Sequence, residues 1–123
     1  MSKLESIWET YVSAWKLTSK AAQRERLGGC LAADCVYTDP LTVARGVEAL
    51  LEYMAAFHEQ VPGGHFVTVQ FFSHHERCAA RWKMVNATGE PLDEGVSYGE
   101  YDETGRLKRM TGFFNPPPSP AGM

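Results

Sequence analysis

The pattern of apolar and polar positions changes near the middle of the chain. Before residue 62, apolar residues recur at steps of three and four, which is typical of helices with one buried face. After residue 65, apolar and polar residues alternate along short runs, which is typical of strands whose sheet has one buried face. The pattern therefore predicts a helical half followed by a sheet half, in one α+β domain.

Three helices are expected in the first half, over residues 4–17, 21–31 and 47–59, and the second is expected to end near the Gly28-Gly29 pair or slightly past it. The first helix places Trp8, Tyr11 and Trp15 on one apolar stripe, and the third stops before the turn sequence Pro-Gly-Gly at residues 62–64. The first two helices are expected to form a hairpin. A short strand over residues 35–38 and a loop through residue 45 are expected between the second and third helices.

Four successive antiparallel strands are expected in the second half, over residues 66–74, 77–85, 95–102 and 107–114. Because side chains alternate between the two faces of a strand, one face can be listed for the last three strands. It carries Cys78, Ala80, Trp82, Met84, Gly95, Ser97, Gly99, Tyr101, Met110, Gly112 and Phe114. A strongly curved sheet with these residues inside would wrap around the helices and leave a cavity at its open end.

Length and charge narrow the classes of function. The 123 residues suit a single domain over residues 1–115, followed by a proline-rich tail at residues 116–123. The net charge of -3, with basic residues spread along the chain, excludes a typical nucleic-acid binder and argues against an anionic membrane surface. No apolar run reaches the roughly 18 residues that a membrane span needs, and the expected compartment is the cytoplasm.

The cysteines and histidines do not form a metal motif. Cys30, Cys35 and Cys78 lack metal-ligand spacing, so free buried thiols are expected. The neighbours His74 and His75 would point to opposite faces of a strand and cannot readily share one ion. Neither a metal nor a cofactor is expected.

Asp39 is the most informative polar residue. It ends a short apolar strand just before Pro40, which must stop the strand's hydrogen bonding. Two interpretations stay open for its carboxylate. It could remove a proton from a carbon next to a carbonyl group inside an apolar cavity, or it could accept hydrogen bonds from the turn that follows.

Two groups of motifs carry a resemblance over nearly the whole chain. They are DCVYTDP at residues 34–40 with Arg45 and Gly46, and GVSYGEYDETGRL at residues 95–107 followed by residues 110–114. The sequence resembles the nuclear-transport-factor-2-like (NTF2-like) superfamily, in particular its ketosteroid-isomerase-like and polyketide-cyclase-like (SnoaL-like) branch. The resemblance implies a cone-shaped α+β fold, with three N-terminal helices packed in a curved, mainly antiparallel sheet.

The resemblance also implies catalytic positions. Asp39 matches the family's general base, and Tyr11 on the first helix matches the tyrosine that stabilises an enolate oxygen. The position of the second acid holds Ser97, whose hydroxyl is a weaker donor than a neutral carboxylic acid. Gly112 stands where relatives that hydrolyse epoxides need an acid. Efficient steroid isomerisation and epoxide hydrolysis are therefore not expected.

Two functions are expected as alternatives. One is a cofactor-free isomerase or cyclase that uses Asp39 on a small apolar or aromatic carbonyl ligand, and the other is a non-catalytic ligand-binding or dimerisation module. The residues expected to contact the ligand are Trp15, Tyr37, Tyr53, Phe57, Trp82, Ser97, Tyr101, Met110 and Phe114.

A homodimer is expected through the outer face of the sheet, where an uncovered surface would expose Val96 and Tyr98. Arg81, Lys83 and Glu100 would share that face, and the resemblance implies the same pairing.

Overall fold

The computed structural model describes residues 2–116, which form three helices and six strands. The helices are α1 (Lys3–Ala14), α2 (Lys20–Gly28) and α3 (Val47–Gln60), and the strands are β1 (Leu31–Asp39), β2 (Thr42–Arg45), β3 (His65–His74), β4 (Arg77–Val85), β5 (Pro91–Tyr101) and β6 (Leu107–Phe113). The six strands form one curved, unclosed sheet in the order β2-β1-β6-β5-β4-β3, with the three helices packed against it. The predicted cone-shaped α+β fold is confirmed.

The sheet is mixed, because β1 runs parallel to β6 while every other pair of neighbours is antiparallel. The parallel pair brings the first strand of the chain beside the last, with Tyr37 opposite Met110 and Thr38 opposite Thr111. It therefore joins the helical half to the antiparallel half and places the end of β1 next to the end of β6.

Local sequence signals explain where the helices begin and how the first two pack. The hydroxyls of Ser2 and Ser19 accept hydrogen bonds from the first turns of α1 and α2. The amide of Gln23 on α2 is buried and donates to the carbonyls of Ala14 and Leu17 at the end of α1. These bonds hold α1 and α2 as the predicted helical hairpin.

The core lies between the helices and the concave face of the sheet. The predicted stripes are confirmed on α1, where Trp8 and Tyr11 are buried, and on α3, where Leu50, Leu51 and Met54 are buried. The core cluster consists of Trp8, Tyr11, Ala14, Trp15, Leu27, Cys30, Leu31, Cys35, Tyr37, Ala44, Leu50, Leu51, Met54, Cys78, Ala80, Tyr101, Leu107 and Met110.

Several element boundaries differ from the sequence prediction. The second helix ends at Gly28, near the expected glycine pair, but the strand expected from residue 35 already starts at Leu31, which pairs with Leu107 in the parallel part of the sheet. The predicted loop before α3 contains β2, whose four residues pair with β1. The strand predicted over residues 95–102 corresponds to β5, which already starts at Pro91. In each case, hydrogen bonding to a distant segment extends the sheet beyond the local pattern.

The predicted domain over residues 1–115 and the predicted tail at residues 116–123 stay predictions. The tail lies outside the described residues apart from Pro116.

Candidate functional site

The carboxylate of Asp39 lies at the end of β1, where Pro40 interrupts the strand. It is 8% exposed. Its Oδ1 accepts hydrogen bonds from the backbone N–H groups of Leu41 at 2.8 Å and Thr42 at 3.1 Å. Asp39 therefore holds the turn between β1 and β2, as one of its two sequence interpretations proposed.

The other oxygen of the same carboxylate accepts two tyrosine hydroxyls. Tyr37 and Tyr53 each donate to Oδ2 of Asp39 at 2.7 Å. Tyr37 shares a face of β1 with Asp39 because the two are separated by one residue, and Tyr53 comes from α3. A carboxylate has about four acceptor positions. The two backbone groups and the two hydroxyls therefore satisfy Asp39 completely, and Tyr37, Asp39 and Tyr53 are hereafter the Asp39 cluster.

Burial fixes the protonation state of the two tyrosines. It is the main cause that raises the pKa of Tyr37 well above its usual value, and nearby Tyr11 and Asp39 raise it further. Burial also raises the pKa of Tyr53, followed by its hydrogen bond to Asp39. Both hydroxyls are consequently neutral donors near pH 7, able to support negative charge on an oxygen atom beside them.

A row of aromatic side chains leads away from the Asp39 cluster. The indole of Trp15 lies 5.8 Å from the ring of Tyr37 and 6.2 Å from that of Tyr53, measured between ring centroids. Beyond Trp15, the row continues through Phe57, Phe66, Trp82 and Phe114, with 5.2 to 6.1 Å between successive rings. We call Trp15, Phe57, Phe66, Trp82 and Phe114 the aromatic wall. It could hold a flat apolar molecule with one end at Asp39.

A second polar group lies beside the Asp39 cluster. The indole N–H of Trp82 donates to Oγ of Ser97 at 2.9 Å. Ser97 is opposite Gly112 in the pairing of β5 with β6. A β-carbon placed on Gly112 would lie 3.6 Å from the hydroxyl oxygen of Tyr37 and 3.7 Å from Oγ of Ser97. The serine and the Asp39 cluster thus face one small region of β6.

An open groove reaches the surface next to the outer end of the aromatic wall. Its volume is about 670 Å³, within the range of roughly 300–1,000 Å³ found for small-molecule sites. Trp82, Gly95 and Phe114 line its inner side, and residues of the outer face of the sheet, including Val96 and Phe113, line the rest, whereas Asp39 does not line it. The groove approaches the site without exposing the carboxylate.

Eight of the residues singled out from the sequence lie along this path. They are Asp39, Tyr37, Tyr53, Trp15, Phe57, Trp82, Ser97 and Phe114. Their roles in binding or catalysis stay predictions.

Three other candidates are not part of this path. Tyr11 packs against Trp8 in the core, with 5.2 Å between ring centroids. Burial raises the pKa of Tyr11 and nearby Asp39 raises it further, so Tyr11 lies near the Asp39 cluster, but within residues 2–116 it makes no hydrogen bond with Asp39. Tyr101 donates to the carbonyl of Leu4 at 2.8 Å, and it lines a different groove from the one beside Trp82. Met110 is buried in the core cluster. Tyr53 of α3 thus makes the hydrogen bond to Asp39 that was expected to involve the tyrosine of α1, and the catalytic role of Tyr11 stays a prediction.

Sequence reasoning missed Phe66 as a site residue. Its ring stacks on Phe57 at 5.2 Å and meets Trp82 edge-on at 5.2 Å, so it joins the two halves of the aromatic wall. The available signal was its place at the start of a predicted strand, directly after the turn that ends α3. The pairing of β3 with β4, which brings Phe66 opposite Met84, is set by tertiary structure.

The cysteines are free and buried, as predicted. Burial is the main cause that raises the pKa of Cys30 to about 12 and that of Cys78 to about 11, so both thiols stay protonated at neutral pH.

Within residues 2–116, no three His, Cys, Asp or Glu side chains are grouped so as to hold a metal ion. No helix among these residues has the length and apolar character that crossing a membrane requires.

Comparisons with known proteins agree with this architecture. A family model described as a SnoaL-like domain matches residues 8–110. Among solved structures, a candidate isomerase of the SnoaL-like family from Agrobacterium tumefaciens superposes with a TM-score of 0.85 at 23% identity, covering 94% of this chain and all of the other. No curated protein is significantly similar in sequence.

Two further structures support the fold at lower identity. A candidate polyketide cyclase from Sinorhizobium meliloti has a TM-score of 0.71 at 17% identity, covering 91% of this chain and 99% of the other. An NTF2-like protein of unknown function from Mesorhizobium loti has a TM-score of 0.69 at 22% identity, covering 93% and 92%. At these identities, the likeness concerns the fold alone.

Proposed function

Because this chain belongs to the SnoaL-like domain family, we propose that it binds a small flat carbonyl compound and transfers a proton at the carbon next to the carbonyl group, without a cofactor. The observation that carries the proposal is the convergence of two tyrosine hydroxyls on Oδ2 of Asp39, at the inner end of the aromatic wall. Such a cluster combines a base with donors for the oxygen that becomes negative. The names isomerase and polyketide cyclase of two structural neighbours fit this class of reaction.

The proposed reaction begins with an exchange of hydrogen bonds. Without substrate, the four donors leave Asp39 no acceptor position for a proton from carbon. Tyr53 is more exposed than Tyr37, so it is the hydroxyl that can turn toward a substrate carbonyl. That movement frees one position on Oδ2 and places a neutral donor on the carbonyl oxygen.

The proton transfer then follows. Oδ2 of Asp39 forms a bond to the proton of the α-carbon, and the electron pair of the broken C–H bond moves into the enolate. Tyr53 donates a hydrogen bond to the enolate oxygen and keeps its own proton, because burial raises its pKa. Asp39 returns the proton to the same carbon, which gives exchange, or to another carbon, which gives an isomer.

Hydrogen exchange on a simple ketone tests the proposal and the role of Tyr53. The measurement is the rate at which 2-tetralone exchanges its C1 protons with D₂O, followed by proton NMR. The wild type should accelerate exchange, and Tyr53→Phe should lower kcat by about 10- to 1,000-fold because it removes the donor to the enolate oxygen. Tyr98→Phe is the matched control, and its kcat should stay within about threefold because Tyr98 lies on the outer face of β5, opposite Thr111 and away from the Asp39 cluster.

The alternative function is a non-catalytic ligand-binding or dimerisation module. The observation that favours it is the complete satisfaction of Asp39 in the absence of substrate, with Oδ1 committed to the turn. A wild type that gives no exchange above the buffer rate on 2-tetralone and on a panel of other enolisable ketones would overturn the catalytic proposal. Binding of these ketones without exchange would then identify a carrier.

We also propose that two copies pair through the outer face of the sheet. Val96 on β5 and Phe113 on β6 are directly paired there, and they are 42% and 59% exposed. Val67, Val69 and Phe72 on β3 are also exposed. Arg81 lies opposite Val96, and Lys83 lies opposite Glu94. An apolar centre with charges of both signs around it can match a second copy related by a twofold axis.

Phe113→Glu should convert this dimer to a monomer, because it places a charge at the apolar centre of the interface. The molar mass in solution, measured by light scattering after size exclusion, should fall by half. Leu41→Glu is the matched control, since Leu41 is also an exposed apolar residue but lies in the turn after β1. A wild type that is monomeric at all concentrations, or an unchanged mass for Phe113→Glu, contradicts the dimer.

A further inference from the structure

Three glycines occupy inner positions of β5 and β6, and packing explains two of them. A β-carbon on Gly95 would lie 2.4 Å from the indole of Trp82. A β-carbon on Gly99 would lie 2.9 Å from Sγ of Cys78 and 3.1 Å from the indole of Trp8. At both positions, glycine therefore lets neighbouring side chains pack close to the strand.

Gly112 has no such explanation. Its β-carbon would be in ordinary van der Waals contact with the nearest atoms, the β-carbon of Asp39 at 3.6 Å, the hydroxyl of Tyr37 at 3.6 Å and Oγ of Ser97 at 3.7 Å. Its backbone is not in the left-handed region. Alanine would fit, yet the residue is glycine in the interior of a strand, where glycine weakens pairing. The missing side chain leaves room for about one methyl-sized group, next to the hydroxyls of Tyr37 and Ser97.

The hydrogen bonds around this space leave one donor and one acceptor unused. Ser97 accepts the N–H of Trp82, and within the described part of the chain its own hydroxyl proton has no acceptor. Tyr37 donates its proton to Asp39, and its oxygen accepts nothing from the described residues. The space thus offers a hydroxyl proton from Ser97 and an oxygen lone pair from Tyr37.

A ligand hydroxyl complements this pair because it accepts and donates at once. A carbonyl or ether oxygen can only accept, and it would leave the oxygen of Tyr37 without a partner. We infer that the space over Gly112 binds a hydroxyl group, so that the substrates are hydroxylated flat carbonyl compounds rather than plain ketones. The inference rests on the proposed function, since it assigns a substrate class to the same site.

Two probes of almost equal shape test the inference. 2-Naphthol carries a hydroxyl that donates and accepts, whereas the fluorine of 2-fluoronaphthalene, which is similar in size, donates no hydrogen bond and accepts only weakly. Isothermal titration calorimetry with the full chain should give 2-naphthol an affinity at least tenfold higher. Gly112→Ala should reduce this preference to less than threefold, because its methyl group fills the space.

Two further variants make the result specific. Gly28→Ala is the control for Gly112→Ala, because a β-carbon there would meet no atom within 4 Å, and it should keep the full preference. Ser97→Ala leaves the space open but removes its donor, so it should also lose the preference. Ser97→Ala therefore tests the inference even if Gly112→Ala does not fold, as thermal melting would reveal.

The outcomes separate this inference from the proposed function. Equal affinity of the wild type for both probes, or a preference unchanged in both Gly112→Ala and Ser97→Ala, overturns the hydroxyl site whatever the exchange of 2-tetralone shows. A preference lost in both variants supports the hydroxyl site even where 2-tetralone is not exchanged, and in that case only the catalytic proposal fails.

Discussion

Asp39→Asn should lower the rate of C1 proton exchange on 2-tetralone by about 10²- to 10⁴-fold, the range typical of losing a general base. Asparagine keeps a carbonyl oxygen for the N–H groups of Leu41 and Thr42, so the turn after β1 should stay in place. Its amide nitrogen cannot accept a proton at neutral pH. The loss should therefore appear in kcat, with a smaller change in KM.

The control for Asp39→Asn is a carboxylate that lies nearby but takes no part in the proposed proton transfer. Asp93 is exposed on β5 and lines the groove beside Trp82. Asp93→Asn should leave exchange within about twofold of the wild type. If Asp39→Asn turns over at the wild-type rate, Asp39 has only the structural role given by its hydrogen bonds, and the base must be sought elsewhere.

Trp8→Ala should lower the free energy of unfolding by about 3–5 kcal/mol, the usual cost of truncating a buried large aromatic residue. Trp8 is 2% exposed, meets Tyr11 edge-on and lies against the backbone at Gly99. Its indole N–H has no hydrogen-bond partner among residues 2–116, so the loss comes from packing and from the cavity left behind. Urea denaturation followed by circular dichroism measures the change.

A truncation at the surface is the control for Trp8. Leu92 is 50% exposed on β5, and Leu92→Ala should change the free energy of unfolding by less than about 0.5 kcal/mol. A loss below 1 kcal/mol for Trp8→Ala would mean that the space between α1 and β5 collapses on truncation, contrary to the close packing described above.

Strong local patterns predicted most of the fold. The third helix was expected over residues 47–59 and is observed as Val47–Gln60, and the expected strand over residues 77–85 is observed as Arg77–Val85. Long runs with one clear period specify their own structure because one face must be buried. β2 was missed because four residues carry too short a pattern, and they form a strand only where β1 offers its hydrogen bonds.

The candidate site was also predicted only in part. The position of Asp39 before Pro40 marked it in the sequence, and alternation along β1 places Tyr37 on the same face. The resemblance named Tyr11 as catalytic, and Tyr53 was expected only to contact the ligand, since the inner faces of both helices carry a tyrosine. The packing of α3 against β1 brings the hydroxyl of Tyr53 to Asp39, whereas Tyr11 packs against Trp8 near the same carboxylate.

By itself, the sequence determined the two halves of the chain, the inner faces of the main elements and the carboxylate at the end of β1. Periodicity and proline act over a few residues, so these features need no knowledge of distant contacts. Only the tertiary structure decided which donors satisfy Asp39, that Phe66 completes the aromatic wall, and that Gly112 faces Ser97 and Tyr37. Those contacts join residues far apart in the chain, and they depend on the pairing of β1 with β6 and on the docking of α3.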